Sequence, residues 1–256
     1  MATARAHDGD EIYFEVHGDG PAVLLYNADP RPPDHPLRDR MTAFTEAVVA
    51  ELADRYRVVL MSYPGAPKPD TFTPAAVNAD MLAIADAAGA ERFAWWGYSF
   101  GGVAGLQLAL SSERVTALAM TGFPPLDGPY EEMLRYSELL ASVETDALGA
   151  PIPESARAQL PQFATYYRAL RGFDDRAAQQ RLTIPRMCFV GGADRIVAGE
   201  DEITHLGDTV RAHEAELSAL GWEVEVLPGL DHLGASEADV VVPRLSRFLD
   251  RHLPVR

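Results

Sequence analysis

Short, mostly apolar runs alternate along this chain with amphipathic stretches, and that rhythm constrains the fold more than any other feature. The runs are Ala22–Tyr26, Arg57–Ser62, an aromatic-rich stretch holding Phe93, Trp95 and Trp96, then Val115–Thr121, Arg186–Val190 and Trp222–Leu227. Between them lie helical patterns. Leu37–Ala53 carries Met41, Phe44, Val48, Val49 and Leu52 on one stripe. Thr73-Pro74 supplies a cap and a first-turn proline for a helix running to Gly89. Further helices are expected over about Ile203–Leu220 and Glu237–His252. At the start, Glu11–His17 alternates as a strand and turns at Gly18-Asp19-Gly20-Pro21 into Ala22–Tyr26, an amino-terminal hairpin. Apolar strands between amphipathic helices predict an α/β fold. Its sheet is mostly parallel, of about eight strands, with helices on both faces. A chain of 256 residues is long enough for one such domain.

Residues 124–183 break the rhythm, because no strand pattern appears there. Helical pieces at Tyr130–Ser142 and Glu154–Arg171 are separated by Gly149-Ala150-Pro151-Ile152-Pro153. The expected organisation is a core of residues 1–123 and 184–256, with 124–183 inserted as a helical lid. Insertions at the carboxyl edge of such sheets lie over the ligand crevice. Phe123, Tyr130, Met133, Tyr136, Phe163, Tyr166, Tyr167 and Phe173 are candidates to line an apolar pocket there. Packing the insertion onto the core accounts for a share of them.

The aromatic run enters Gly97-Tyr98-Ser99-Phe100-Gly101, and Val103, Leu106, Leu108, Ala109 and Leu110 leave it with a helical pattern. A strand turning sharply into a helix at Ser99 strains that residue and projects its hydroxyl from the sheet edge. Gly97 and Gly101 leave room for neighbouring backbone. The helix starting near Phe100 presents free N–H groups beside the hydroxyl, suited to a developing oxyanion. The reading is a nucleophilic serine, against the plainer one of a glycine-rich turn with a bystander serine.

A serine hydroxyl needs a base in reach, and the base needs an orienting acid. Gly191-Gly192-Ala193-Asp194-Arg195-Ile196-Val197 and Pro228-Gly229-Leu230-Asp231-His232-Leu233-Gly234 each follow a strand, placing Asp194 and His232 on the edge that carries Ser99. Asp127, after the preceding strand, is an alternative acid. Asp231 is read as a surface charge. The other histidines (His7, His17, His35, His205, His213 and His252) are read as solvated. His205 and His213 lack the spacing of a metal pair, so no metal and no cofactor are expected.

In these segments the chain resembles the α/β-hydrolase superfamily. The likeness covers nearly the whole length: hairpin, Gly-Tyr-Ser-Phe-Gly elbow, lid, Gly-Gly-Ala-Asp-Arg-Ile-Val acid loop and Asp-His-Leu-Gly histidine loop. It implies Ser99 as nucleophile, His232 as general base and acid, and Asp194 as its orienter. Relatives that open epoxides or displace halide carry aspartate where Ser99 stands. One departure concerns the oxyanion turn. The superfamily often has His-Gly after the second strand, whereas this chain has Asn27-Ala28-Asp29-Pro30. By position Ala28 or Asp29 donates the second N–H beside that of Phe100, or Asn27 donates from its side chain. The expected activity is hydrolysis of an ester, lactone or thioester with a small apolar acyl or alcohol group. Acyl transfer, lyase, cyclase or perhydrolase chemistry on the same fold is the alternative, and a pure binding protein a third reading.

The formal net charge is −16, which disfavours nucleic acid and anionic membrane as partners. Cys188 stands alone, so no intrachain disulfide is possible, and its apolar surroundings read as a buried strand. The first residues lack the apolar stretch of a signal peptide, and no run approaches a membrane span, so a cytoplasmic location is expected. Nothing in the sequence specifies an oligomeric state.

Overall fold

The computed structural model describes residues 2–26, 38–64, 66–140, 158–198 and 201–253. Eight strands form the main sheet: β1 (Ala2–Arg5), β2 (Glu11–His17), β3 (Ala22–Leu25), β4 (Arg57–Met61), β5 (Phe93–Tyr98), β6 (Val115–Thr121), β7 (Arg186–Gly191) and β10 (Trp222–Leu227). Their order is β1-β2-β4-β3-β5-β6-β7-β10. The β1–β2 and β2–β4 pairs are antiparallel and all other neighbours parallel. This is the mostly parallel α/β sheet that the alternation predicts.

Each central strand is apolar throughout because both faces are covered. Val23, Leu25, Ala94 and Trp96 join a core with Phe44, Val48 and Leu52 of α1 (Arg38–Leu52) and Val241, Leu245 and Phe248 of the carboxyl-terminal helix Ala238–His252. Their neighbours Leu24 and Trp95 point the other way, to Met81 and Ile84 of α2 (Pro74–Ala87) and Val103 and Leu106 of α3 (Phe100–Ser111). The period of two along each strand thus builds two cores from one run. The paired tryptophans also place their indole N–H groups. Trp95 donates to the Gly101 carbonyl at 3.0 Å and Trp96 to Thr121 Oγ1 at 3.0 Å. Thr73 caps α2, accepting from the Ala76 N–H at 3.3 Å. Cys188 is fully buried in β7. Among the described residues no helix is long and apolar enough to cross a membrane.

Several expectations are corrected. The amino-terminal hairpin does not form: β4 lies between β2 and β3, and β2 pairs instead with β1, a strand the sequence pattern did not signal. The reason is tertiary: β4 inserts between them, pairing antiparallel with β2 and parallel with β3. Ile203–Leu220 is not one helix. Ile203 lies in β9 (Asp201–Thr204), which pairs antiparallel with β8 (Ile196–Ala198). Two short helices follow, Leu206–Ala212 and Glu214–Ala219, broken at His213.

Between β6 and β7 the chain forms α4 (Tyr130–Leu140), α5 (Leu160–Ala169) and the short α6 (Asp175–Gln179), the last unpredicted. Residues 141–157, which hold the expected Gly149–Pro153 break, lie outside the described residues. α5 is tied to the loop after β4, where Gln162 Oε1 accepts the Lys68 backbone N–H at 3.0 Å and Thr165 Oγ1 donates to the Pro69 carbonyl at 2.5 Å. Lys68, the single lysine, is buried, and its ammonium pairs with Asp8 and Asp10 of the β1–β2 turn.

Gly105 of α3 packs face-on to the sheet, and a Cβ there would meet Trp95 Nε1 at 2.2 Å. Alanine would gain about 1 kcal/mol of helix propensity. It would lose about 1–3 kcal/mol to overpacking, and it would push the indole off its acceptor. Gly105→Ala should therefore lower stability by about 1–2 kcal/mol in denaturant unfolding followed by tryptophan fluorescence; an unchanged or raised midpoint would contradict this packing.

Candidate active site

β5 ends at Tyr98 and α3 begins at Phe100, so the chain reverses within a single residue. Ser99 takes φ 51° and ψ −116°, a conformation that costs a residue with a side chain about 1–3 kcal/mol. Backbone bonds hold it there. The Ser99 N–H donates to the Thr121 carbonyl at 2.7 Å, and the Ser99 carbonyl accepts from Gly102 at 2.9 Å. The turn closes only because residue 97 has no side chain, since a Cβ there would sit 2.1 Å from the Gly101 carbonyl oxygen. Ser99 makes no capping bond to its helix, which leaves Oγ available. The Phe100 N–H leads the first turn of α3, among the donors a helix leaves without an internal acceptor.

Ser99 Oγ lies 3.1 Å from His232 Nε2, and His232 Nδ1 lies 2.8 Å from Asp194 Oδ1. The Asp194 side chain is 0 % exposed and the imidazole 19 % exposed. Asp194 Oδ2 is buried with no partner among the described residues. Among the described residues, the imidazole is therefore the side chain to which this buried carboxylate is bonded. The loops bearing the two residues are stitched together by Gly192 N–H to the Leu227 carbonyl at 2.6 Å and Ala193 N–H to the Leu230 carbonyl at 2.9 Å. Gly207 N–H donates to the Asp194 carbonyl at 3.0 Å.

Tyr98 was missed by the sequence reading. Its hydroxyl donates to the His232 carbonyl at 3.0 Å, and its ring lies 4.8 Å from the imidazole. Arg40 supports the same loop, donating to the Leu233 carbonyl and to Ser236 Oγ, and pairing with Glu237 at 3.3 Å. No sequence period marks either residue, because both contacts span long separations. A cleft of about 160 Å³ lies beside this loop, between Met41, Phe44, Trp96, Tyr98 and Leu233.

The alternative acid lies elsewhere. Asp127 is bound by Arg176 at 2.6 Å and by His213 Nε2 at 2.8 Å, and the guanidinium holds its carboxyl below the usual carboxylate range. Asp231 is exposed, and its Oδ1 accepts the Gly234 N–H at 2.7 Å. Of the remaining histidines, read as solvated, His7, His205 and His252 are exposed and His17 and His213 partly so; each also pairs with a carboxylate, and His35 lies outside the described residues. His7 is the furthest from that reading, since its partner Asp80 is wholly buried. Asn27, Ala28 and Asp29 also lie outside the described residues.

Of the candidate pocket residues, Phe163, Tyr166 and Tyr167 meet the Phe100 ring at 4.8, 4.7 and 6.2 Å. Phe123 and Tyr130 form a neighbouring group with Phe173, and Met133 is buried on α4. The core adds rings the sequence reading did not place here. Tyr26 and Phe72 lie 5.8 and 5.6 Å from Phe100, and Tyr63 stacks on Phe72 at 5.9 Å.

With this geometry in place, the comparisons with known proteins are informative. Residues 16–244 match the model of the alpha/beta hydrolase family. A protein of Azorhizobium caulinodans named for carbamate hydrolysis (RutD) is 32 % identical over 132 residues, 48 % of this chain and 46 % of its own length. The match thus spans about half of that relative. An alpha/beta hydrolase from Sphaerobacter thermophilus superposes with a TM-score of 0.60 at 22 % identity, covering 96 % of this chain and 99 % of its own. An esterase from Thermogutta terrifontis does so with 0.66 at 18 % identity, covering 98 % of both. The enol-lactonase from Burkholderia xenovorans does so with 0.63 at 17 % identity, covering 96 % and 99 %. At these identities the structural likenesses speak for the fold.

The two aspartates are separable by mutation. Asp194→Asn should lower turnover by about 10²-fold or more, as loss of an orienting carboxylate does. Asp127→Asn should be nearly silent in the same assay; the opposite pattern would mean that the Asp194 contact is incidental.

Proposed function

The chain belongs to the alpha/beta hydrolase family, and from that premise we propose that it is a serine hydrolase cleaving a carboxylic ester, lactone or thioester through a covalent acyl-enzyme. The observation that carries this reading is the continuous run from Ser99 Oγ through His232 to the buried Asp194, at 3.1 and 2.8 Å. The imidazole takes the hydroxyl proton at Nε2 as Oγ bonds to the carbonyl carbon. Asp194 compensates the imidazolium that forms, a charge its own burial makes welcome. The Phe100 N–H faces the developing oxyanion at the head of α3, and a second donor is proposed from residues 27–29, which lie outside the described residues. The tetrahedral intermediate collapses as His232 returns the proton to the leaving alcohol or thiol. Water, deprotonated by His232, then repeats the cycle on the acyl-enzyme and releases the acid and free Ser99. A carbamate, for which the Azorhizobium relative is named, presents the same kind of carbonyl.

The segment between β6 and β7 serves as the lid, with an apolar acyl or alcohol group held near Phe100 and Phe163. Each methylene buried there should favour the substrate by up to about 0.8 kcal/mol until the space is filled. In a straight-chain ester series, kcat/KM should rise with length and then fall, and Phe163→Ala should move the maximum; rates that ignore chain length in both proteins would count against the lid.

A fluorophosphonate probe should label the wild-type chain at Ser99 and leave Ser99→Ala unlabelled. That variant should fold normally and lose about 10³-fold or more in ester turnover. Labelling at another residue, or near-normal turnover by Ser99→Ala, would overturn the proposal.

A further inference from the structure

Several tyrosines of this protein bond through their hydroxyls. Tyr56 donates to Asp250 at 2.8 Å, Tyr63 to Asp80 at 2.8 Å and Tyr98 to the His232 carbonyl at 3.0 Å, while Tyr13 bonds Glu15. Among the described residues, the hydroxyls of Tyr130 and Tyr166 are buried with no partner. Both lie on the helices between β6 and β7, and Tyr166 packs directly on Phe100, the neighbour of Ser99. Tyr166 is fully buried. Phenylalanine would fill the same volume without stranding a donor, so the hydroxyl carries a stability penalty that packing does not explain.

More phenols surround it. The Tyr167 ring lies 5.9 Å from Tyr166, and Tyr26 reaches Phe100 at 5.8 Å from the end of β3. Burial foremost, and then the proximity of Tyr167, Tyr26 and Tyr130, push the Tyr166 hydroxyl well above the usual phenol range. These groups therefore remain neutral donors. Among the described residues, the cations of the surrounding segments are already paired. The Lys68 ammonium is taken by Asp8 and Asp10, and Arg176 by Asp127 and Glu216. Asp175 lies near enough to Tyr130 to raise it further, which adds negative charge to this side of the cluster. A carboxylate or phosphate would be buried here without compensation.

We propose that the Tyr166 hydroxyl donates to a neutral oxygen of the substrate. That oxygen is a keto or ether group carried on the acyl chain beyond the scissile carbonyl. The inference rests on the serine-hydrolase reading and narrows its substrate class from plain alkyl esters to oxygenated ones.

The test separates binding from chemistry. In a Ser99→Ala background, calorimetry compares ethyl 3-oxohexanoate with ethyl hexanoate. The oxo ester should bind about tenfold more tightly, the worth of one good buried hydrogen bond. Adding Tyr166→Phe should make the two esters bind alike. Tyr166→Phe in the otherwise wild-type chain should melt at or above the parent temperature, whereas a structural role for the hydroxyl would lower it. Equal binding of the two esters in the Tyr166 protein, no measurable binding of either, or a preference that survives Tyr166→Phe would overturn the inference. Fluorophosphonate labelling is read separately. Failure to label Ser99 strikes the serine-hydrolase reading, while labelling with equal ester affinities strikes the tyrosine inference alone.

Discussion

The rest of the structure hangs on a backbone contact between two glycines. Residue 97 and the Gly101 carbonyl approach so closely that no Cβ fits between them, and this lets a strand become a helix across Ser99. The Trp95 indole then bonds that same Gly101 carbonyl, and Gly105, one turn later, leaves space for the ring. One tryptophan thereby locks the helix to the strand that feeds it. The strain at Ser99 persists because its N–H and carbonyl are both bonded, to Thr121 and Gly102, so relaxing φ would break the joint.

Two buried aspartates show how one pairing supports two different ends. Asp80 accepts the His7 N–H at 2.6 Å, the His7 ring at 3.0 Å and the Tyr63 hydroxyl at 2.8 Å, so both its oxygens are satisfied. It pins the amino-terminal turn to α2 and fixes Tyr63 against the aromatic cluster. Asp194 is equally buried, yet among the described residues only one of its oxygens is bonded, and that one to His232. Asp80 therefore ties two residues together, whereas the bonded oxygen of Asp194 serves the imidazole of His232. That difference, rather than the histidine–aspartate pairing itself, sets the proposed active site apart from a structural one.

The aromatic cluster around Phe100 is assembled from distant parts of the chain. Tyr26 ends β3, Phe72 comes from the loop after β4, Phe100 begins α3, and Phe163 and Tyr166 descend from α5. Edge-on and stacked contacts let these rings close on one another without a continuous helical or strand stripe. Lys68 and Gln162 hold two of the contributing segments in register from the outside.

By itself the sequence determined what depends on local rules. Runs apolar on both faces can only be covered strands, so the parallel sheet was legible, and glycines flanking Ser99 declared the sharp turn. The order of Ser99, Asp194 and His232 along successive strands placed all three on one edge. Tertiary structure alone decided which strands are neighbours: β4 displaced β3 from beside β2, and Ile203 joined β9, which pairs with β8. It likewise decided that Asp127 serves Arg176 and His213, that Tyr98 and Arg40 hold the histidine loop, and that Tyr166 is left with an unpaired hydroxyl beside Phe100. The physical reason is the same in each case. Periodicity reports how a residue faces its own element, whereas hydrogen-bond partners more than a hundred positions away, such as Tyr98 and His232, are chosen only when the elements pack.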